Sequence, residues 1–168
     1  HDLIEGCHAR VALVSDIEVF DGFPSRYDAD ARRQHRWVRG DWQIAGWLLP
    51  HVLGAAGEAL PNTIGALGRW KIFDNLRRSL LPPTVLTLLV SGWLFLPGSP
   101  LVWTLLALFP SILPIAMQLF QDTTHHLRGR LPLKQLFKSA QPSITRWALA
   151  IFLLPYEALL MLGAIATT

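Results

Sequence analysis

The chain has 168 residues, of which 51% are hydrophobic and 16% charged, with a net charge of +3 and a mean hydropathy of +0.33. This balance is too apolar for an ordinary soluble domain of this length, and so small a charge in an apolar chain argues against a nucleic-acid-binding protein. The single cysteine, Cys7, excludes an internal disulfide and a thiolate metal cluster.

The hydrophobicity is unevenly placed. No charged residue occurs from Ser79 to Gln121, a run that can hold two bilayer-crossing helices of about 20 residues each. Residues 1–50 have the charge density of soluble protein. The chain therefore divides into a polar head and a membrane body. It opens on "HDLIEG", with neither a methionine nor a basic-then-apolar leader, so it reads as a piece of a longer protein. A head of this size is small for an independent core.

In chain order, Asp2 to Leu13 reads as a helix with Leu3, Cys7, Val11 and Val14 along one stripe. Asp2 stands at its start, where free N–H groups favour a carboxylate. Asp16 to Phe20, "DIEVF", alternates and is β-branched, which predicts a short strand. "DGFPSRYD" is a turn. Asp28 or Asp30 is expected to cap a helix that runs to about Leu49 and stops at Pro50. A Gly-rich connector follows. From Asn62 to Leu81, apolar Ile64, Leu67, Trp70, Ile72, Phe73, Leu76 and Leu80 recur at helical spacing beside Arg69, Lys71, Arg77 and Arg78. A basic amphipathic helix just before a span is expected to lie in the membrane interface; a core helix of a soluble bundle is the alternative.

Three transmembrane helices are expected: Pro83 to Leu96 with flanking residues, Leu101 to Phe120 kinked at Pro110 and Pro114, and Trp147 to Ala166. "LPGSP" turns the first two into an antiparallel hairpin. Arg69, Lys71, Arg77 and Arg78 precede this hairpin, and Arg128, Arg130, Lys134, Lys138 and Arg146 follow it. The positive-inside rule then places the head and the 122–146 loop in the cytoplasm. The expected fold is mainly α, in three regions: a cytoplasmic part over residues 1–50, a connector and interfacial helix over 51–81, and a membrane region over 82–168.

The densest chemistry lies in "ARRQHRWVRGDWQ", Ala31 to Gln43. On a helix, Arg33, Arg36, Trp37 and Gly40 lie close to one face. Arginine presents a planar fork of donors suited to phosphate. Tryptophan presents a flat apolar face suited to a sugar ring. Together they suit a nucleotide-sugar donor and a glycan acceptor. A solvated basic face with a tryptophan anchored near lipid is the competing reading.

"RQHRW" resembles the (Q/R)xxRW signature of processive, membrane-embedded family-2-like glycosyltransferases, with Arg33 at the Q/R position and Arg36 and Trp37 as the RW pair. "HDLIEG" is similar to the acidic motif that carries the general base of these enzymes. With "RWKIFDNLRRSLLPP" in register, residues 1–83 resemble the glycosyltransferase domain of cyclic β-1,2-glucan synthases, large bacterial inner-membrane proteins that polymerise glucose from UDP-glucose.

The resemblance implies the C-terminal end of a GT-A-like α/β catalytic domain, cytoplasmic and joined to a multi-pass membrane region. It implies inverting transfer of glucose from UDP-glucose to a growing β-glucan. Asp2 would be the general base, Arg36 with Arg33 would offset the charge of the UDP leaving group, and Trp37 would stack on the acceptor sugar. Arg33 stands where the cellulose-synthase version has glutamine. The family's divalent cation (Mg²⁺ or Mn²⁺) is held by an upstream DxD motif, expected outside this chain. "DAD" at Asp28 to Asp30 has the letters but follows the acidic motif, and reads as a helix start. The chain alone is therefore expected to be inactive and to need the rest of its polypeptide. A non-catalytic anchor whose basic helix binds anionic lipid is the alternative. Glu157, the one charge in the last span, either lines a glycan path with Tyr156 or pairs with another helix.

Overall fold

A computed structural model describes residues 1–9, 12, 14–20, 22–54, 56–127 and 133–168. The elements are α1 (Asp2–His8), α2 (Tyr27–Gln43), a 3₁₀ turn (Ala45–Leu48), β1 (His51–Leu53), β2 (Ala59–Pro61), α3 (Ala66–Leu94), α4 (Pro100–Leu127) and α5 (Leu133–Ala166). The described chain is thus mainly helical, as expected. It divides into two compact units, His1–Leu81 with Leu159–Thr168, and Pro82–Ala158.

In the first unit, α2 carries two functions on adjacent stripes. Ala31 and Val38 are buried, and Val38 packs with Met161 and Ala164 of α5. A second cluster joins Ile44, Ile64, Ile72 and Leu76, with Leu3, Ile4, Trp42 and Trp47 around it. Ile72 and Leu76 are one helical turn apart on α3, so the inner face of that helix is set by ordinary i, i+4 spacing. Leu67, Trp70 and Phe73 point outward and are 67%, 60% and 46% exposed, which leaves an apolar outer stripe of the kind an interface helix presents. The buried Ser79 hydroxyl accepts from Trp42 Nε1 at 2.9 Å and donates to the Leu76 carbonyl at 2.7 Å, so both buried polar groups are satisfied.

Helix α1 is docked through its underside. His8 Nε2 lies 3.1 Å from the Thr63 hydroxyl, and its ring meets Trp47 edge-on at 5.9 Å. Gly68 lets α1 come close to α3, because a Cβ there would stand 2.4 Å from Ile64 Cγ2 and 2.8 Å from Cys7 Sγ. Asn62 fixes the connector. Its amide donates to the carbonyls of Trp47 and Leu49, and its side-chain oxygen accepts from the Ile64 N–H at 3.0 Å.

Several expectations are corrected. α1 ends at His8, short of Leu13; Val11 lies outside the described residues. Asp16 to Phe20 form no strand, and Val19 and Phe20 are 86% and 92% exposed. A strand needs a neighbour for its backbone groups, and the described residues offer that segment none. The cap of α2 is neither Asp28 nor Asp30 but Arg26, with no side-chain capping bond. The Gly-rich connector holds an antiparallel hairpin, Val52 opposite Leu60, closed by Gly54 N–H to the Glu58 carbonyl at 2.7 Å.

The interfacial helix and the first expected span are one continuous helix, α3, with Pro82 and Pro83 inside it. Neither proline brings an N–H, so the carbonyls of Arg78 and Ser79 lose their i+4 donors there. The boundary between the two units falls at Pro82.

In the second unit, Gly92 brings α3 against α4, where a Cβ would stand 2.3 Å from Trp103 Cβ. The hairpin turn is pinned by Trp103 Nε1 to the Pro97 carbonyl at 3.0 Å and Trp93 Nε1 to the Thr104 hydroxyl at 2.8 Å. Helices α4 and α5 meet through Trp147 Nε1 to the Ser111 hydroxyl at 2.9 Å and the Ser143 hydroxyl to Gln118 Oε1 at 2.8 Å. Among the described residues two helical stretches are long and apolar enough to cross a membrane, Pro100–Thr124 and Ala140–Ala166, and only 6% and 17% of their most apolar windows are buried. Such exposure is unlike the core helix of a soluble protein. α3 is not among them: its uncharged part, residues 79–94, is about 24 Å long at ~1.5 Å per residue, below a hydrocarbon thickness of ~30 Å. Residues 122–127 and 133–146 are helical, where a loop is expected; Arg128, Arg130 and the side chain of Lys134 lie outside the described residues.

Candidate functional site

The site forms where α1, α2 and α3 approach within the first unit. A cavity of about 520 Å³ is lined by His1, Asp2, Arg36, Trp37, Gly40, Asp41, Asn75 and Arg78. A second, of about 300 Å³, shares Trp37, Asp41, Asn75 and Arg78 with it and adds Gln34, Val38, Ser79 and Met161. The sizes fall in the range of small-ligand sites.

Each wall follows from local sequence. Asp2 opens α1, and the backbone N–H of Leu3 is capped by His1 Nδ1 at 3.3 Å, so the Asp2 carboxylate is not needed as a cap. It is exposed and makes no hydrogen bond or ion pair with the described residues. Arg36 and Gly40 stand one turn apart on α2, as do Trp37 and Asp41, so two neighbouring i, i+4 stripes face one opening. Asn75 and Arg78 are three residues apart on α3 and supply the opposite wall.

Asp41 ties the walls together. Its Oδ1 accepts from Asn75 Nδ2 at 2.9 Å and lies 3.3 Å from His1 Nε2. Asn75 in turn accepts from Arg78 Nη2, and Arg78 Nη1 pairs with Asp74 at 3.2 Å. Burial pushes the Asp41 carboxyl above its ordinary value, against the Asn75 hydrogen bond and the Arg78 charge, which pull it down. Asp74 is held below the usual carboxylate range, first by its hydrogen bond from Arg77.

Of the residues expected from sequence, Asp2, Arg36 and Trp37 line one cavity, and Arg33 does not. Arg33 Nη2 pairs with Asp30 at 2.8 Å, and its guanidinium lies over Phe23 at 5.0 Å and over Trp37 at 4.8 Å. Its Nε is buried without a hydrogen-bond partner among the described residues. The guanidinium therefore braces one face of the Trp37 indole, which remains 56% exposed. Asp28 pairs with Arg26 and Arg32, and Asp30 with Arg33 and Gln34, so the "DAD" carboxylates are engaged by cations and amide. Among the described residues no group of three or more His, Cys, Asp or Glu side chains is placed to hold a metal ion.

Sequence reasoning missed His1, Asp41, Asn75 and Arg78. The i, i+4, i+8 spacing of Arg33, Trp37 and Asp41 was the available signal for Asp41. For Asn75 and Arg78 it was the "NLRRSL" run, which carried resemblance without a role.

No family model matches the chain, and no solved structure matches it. In an alignment 169 residues long that covers 98% of the chain, it is 37% identical to the cyclic β-(1,2)-glucan synthase NdvB of Rhizobium meliloti (strain 1021). It spans only 6% of that protein. The resemblance carried by the acidic motif, the RW helix and the "NLRRSL" run is thus borne out as a match to one segment of a cyclic β-(1,2)-glucan synthase.

Proposed function

We propose that this chain is the acceptor-side end of a membrane glucan synthase, the last part of a GT-A-like catalytic domain running into a membrane region that includes α4 and α5, in the bacterial inner membrane. The intact protein transfers glucose from UDP-glucose to a growing β-glucan with inversion, in β-1,2 linkage. The observation that carries this reading is the convergence of Asp2, Arg36 and Trp37 on one cavity. The similarity to a cyclic glucan synthase along nearly the whole chain supports it.

The geometry and chemistry of the three support the roles that the resemblance implies. Asp2 has an unengaged carboxylate, and it takes the proton of the acceptor hydroxyl as that oxygen bonds to the anomeric carbon. The bond from the anomeric carbon to the UDP oxygen breaks in the same displacement, so one base suffices. Arg36 is unpaired among the described residues, and its guanidinium stabilises the charge that develops on the departing diphosphate, an effect worth a few kcal/mol at such sites. Trp37, braced by Arg33, stacks on the acceptor sugar. Arg33 acts through Trp37 and leaves the diphosphate to Arg36. A divalent cation, which the glycosyltransferase reading implies, would add charge stabilisation at the diphosphate; among the described residues no group of three or more His, Cys, Asp or Glu side chains is placed to hold it.

The test is incubation of the intact protein, in membranes, with labelled UDP-glucose, followed by linkage analysis. Formation of β-1,2-glucan by the wild type and its loss in Asp2→Asn, with UDP-glucose still bound, is the expected result. Undiminished turnover in Asp2→Asn removes Asp2 from the base role. Absence of transfer by the wild type leaves a lipid-binding anchor as the better description.

A further inference from the structure

The two cavities meet at Trp37 and Asp41, and the glycosyltransferase reading leaves Asp41 without a task. Trp37 and Asp41 stand one turn apart on α2 and line both cavities, together with Asn75 and Arg78 of α3. The indole offers an apolar face. The carboxylate beside it is acceptor-only, is largely sheltered and is pinned at Oδ1 by the Asn75 amide at 2.9 Å. Oδ2 has no hydrogen bond or ion pair among the described residues. A sugar ring is apolar on its C–H face and ringed by hydroxyl donors at its edge. An aromatic plane with a carboxylate beside it matches that pattern.

We propose that Asp41, oriented by Asn75, is an acceptor-binding residue: its carboxylate accepts hydrogen bonds from hydroxyls of the glucan unit that stacks on Trp37. The proposal rests on the glucosyltransferase reading and adds to it a second carboxylate with a different task. Asp2 is exposed and unengaged, and can take a proton. Asp41 is held in place by Asn75 and has His1 Nε2 3.3 Å away, which suits fixed recognition.

Three features set the orientation. Asn75 spans α2 and α3 by donating to Asp41 and accepting from Arg78. Arg78 is held in turn by Asp74, so its charge is partly offset before it reaches Asp41. The Trp42 to Ser79 bond, next to Asp41 on α2 and to Arg78 on α3, fixes the same pair of helices in register. The carboxylate is therefore positioned by the scaffold before a ligand arrives, which lowers the ordering cost of binding.

The experiment uses the intact protein in lipid nanodiscs. The probe is a β-1,2-linked gluco-oligosaccharide added without donor, and UDP binding is measured in parallel to report the fold of each variant. Asp41→Asn keeps the shape and one acceptor oxygen but removes the charge. It is expected to weaken oligosaccharide binding roughly 10- to 100-fold, the loss typical of a charge-assisted hydrogen bond, with UDP affinity unchanged. Asn75→Ala keeps the carboxylate and removes its holder, and is expected to give a smaller loss. Asp41→Glu is expected to recover part of the binding. The proposal is overturned by undiminished oligosaccharide affinity in Asp41→Asn, by an equal loss of UDP affinity, or by a wild type that does not bind the oligosaccharide. Oligosaccharide binding that depends on Asp41 in a protein that transfers no glucose would support the subsite while counting against the catalytic reading.

Discussion

Gly68→Ala separates the placement of Asp2 from the stability of the fold. A Cβ at this position would stand 2.8 Å from Cys7 Sγ, about 0.6 Å inside the ordinary 3.4 Å contact, and 2.4 Å from Ile64 Cγ2, about 1.0 Å inside it. Ile64 belongs to the buried cluster with Ile72 and Leu76 and has little room to move. Cys7 lies on α1, a helix of 7 residues that also carries Asp2. Overpacking of this kind costs ~1–3 kcal/mol, while alanine in place of a helical glycine returns ~1 kcal/mol. The net change in stability is therefore small, at most ~2 kcal/mol.

The effect on turnover is larger, because α1 must give by several tenths of an ångström, and a misplacement of about 1 Å at a catalytic group can cost on the order of 100-fold in rate. Glucose transfer by the intact protein is expected to fall roughly 10- to 100-fold while the thermal midpoint moves little. The double variant Gly68→Ala/Cys7→Ala removes the α1 side of the clash but not the Ile64 side. It is expected to recover turnover without recovering stability. Unchanged turnover in the single variant, or a double variant no faster than the single, refutes the argument that the approach of α1 to α3 sets the position of Asp2 for the role proposed for it.

Trp37→Ala is expected to raise the acceptor KM more than the UDP-glucose KM in initial-rate assays; the reverse order would move the tryptophan to the donor side. Arg33→Ala unbraces the indole, and loss of a cation–π contact predicts a rise in acceptor KM of roughly 3- to 30-fold with UDP affinity retained. Ser79→Ala leaves the Trp42 N–H without its partner and is expected to cost ~1–3 kcal/mol, read as a lowered thermal midpoint. The two shifted carboxyls predict opposite pH responses. Asp41 is raised by burial, so its charged form costs stability at neutral pH, and that cost is relieved as pH falls through the raised value. Asp41→Asn is expected to raise the midpoint near neutrality and to raise it less in acid. Asp74 is lowered, first by the Arg77 hydrogen bond. It contributes stability above the ordinary carboxylate range that is lost as pH falls through its lowered value, so Asp74→Asn is expected to lower the midpoint near neutrality and to have no effect in strong acid.

The helix that carries the RW pair was legible from the acidic residues near its start and the proline beyond its end, although its cap is Arg26 and its α-helical part ends at Gln43. Asp16 to Phe20 were misread for a reason inherent to strands. Alternation records what a strand buries when a neighbour is present, and the described residues leave Val19 and Phe20 exposed beside none. The continuity of α3 through Pro82 and Pro83 was also hidden. Proline is a reliable local breaker, yet the inner face of α3 is anchored before it by Ile72 and Leu76 and closely packed after it at Gly92. The hairpin at His51–Pro61 was missed because its register is fixed by Asn62, which donates to two carbonyls before β1 and accepts from a backbone N–H after β2. That arrangement joins residues 13 to 15 positions apart, which no local pattern records.

Asp41 shows the same limit at the site itself. In sequence it is one acidic residue between a glycine and a tryptophan on a basic helix, where a solvated surface role is the natural reading. What changes its meaning is α3, which brings Asn75 to it across 34 positions. Burial works against the charge, while the Asn75 amide and the neighbouring Arg78 work for it, with His1 Nε2 3.3 Å away. An asparagine in its place would hold the same Asn75 contact without that cost. A carboxylate that burial disfavours, with one oxygen left without a partner among the described residues, is suited to something that arrives in the cavity. The pairing of a stability gain with a loss of glucan affinity in Asp41→Asn is the combination that a purely structural residue would not produce.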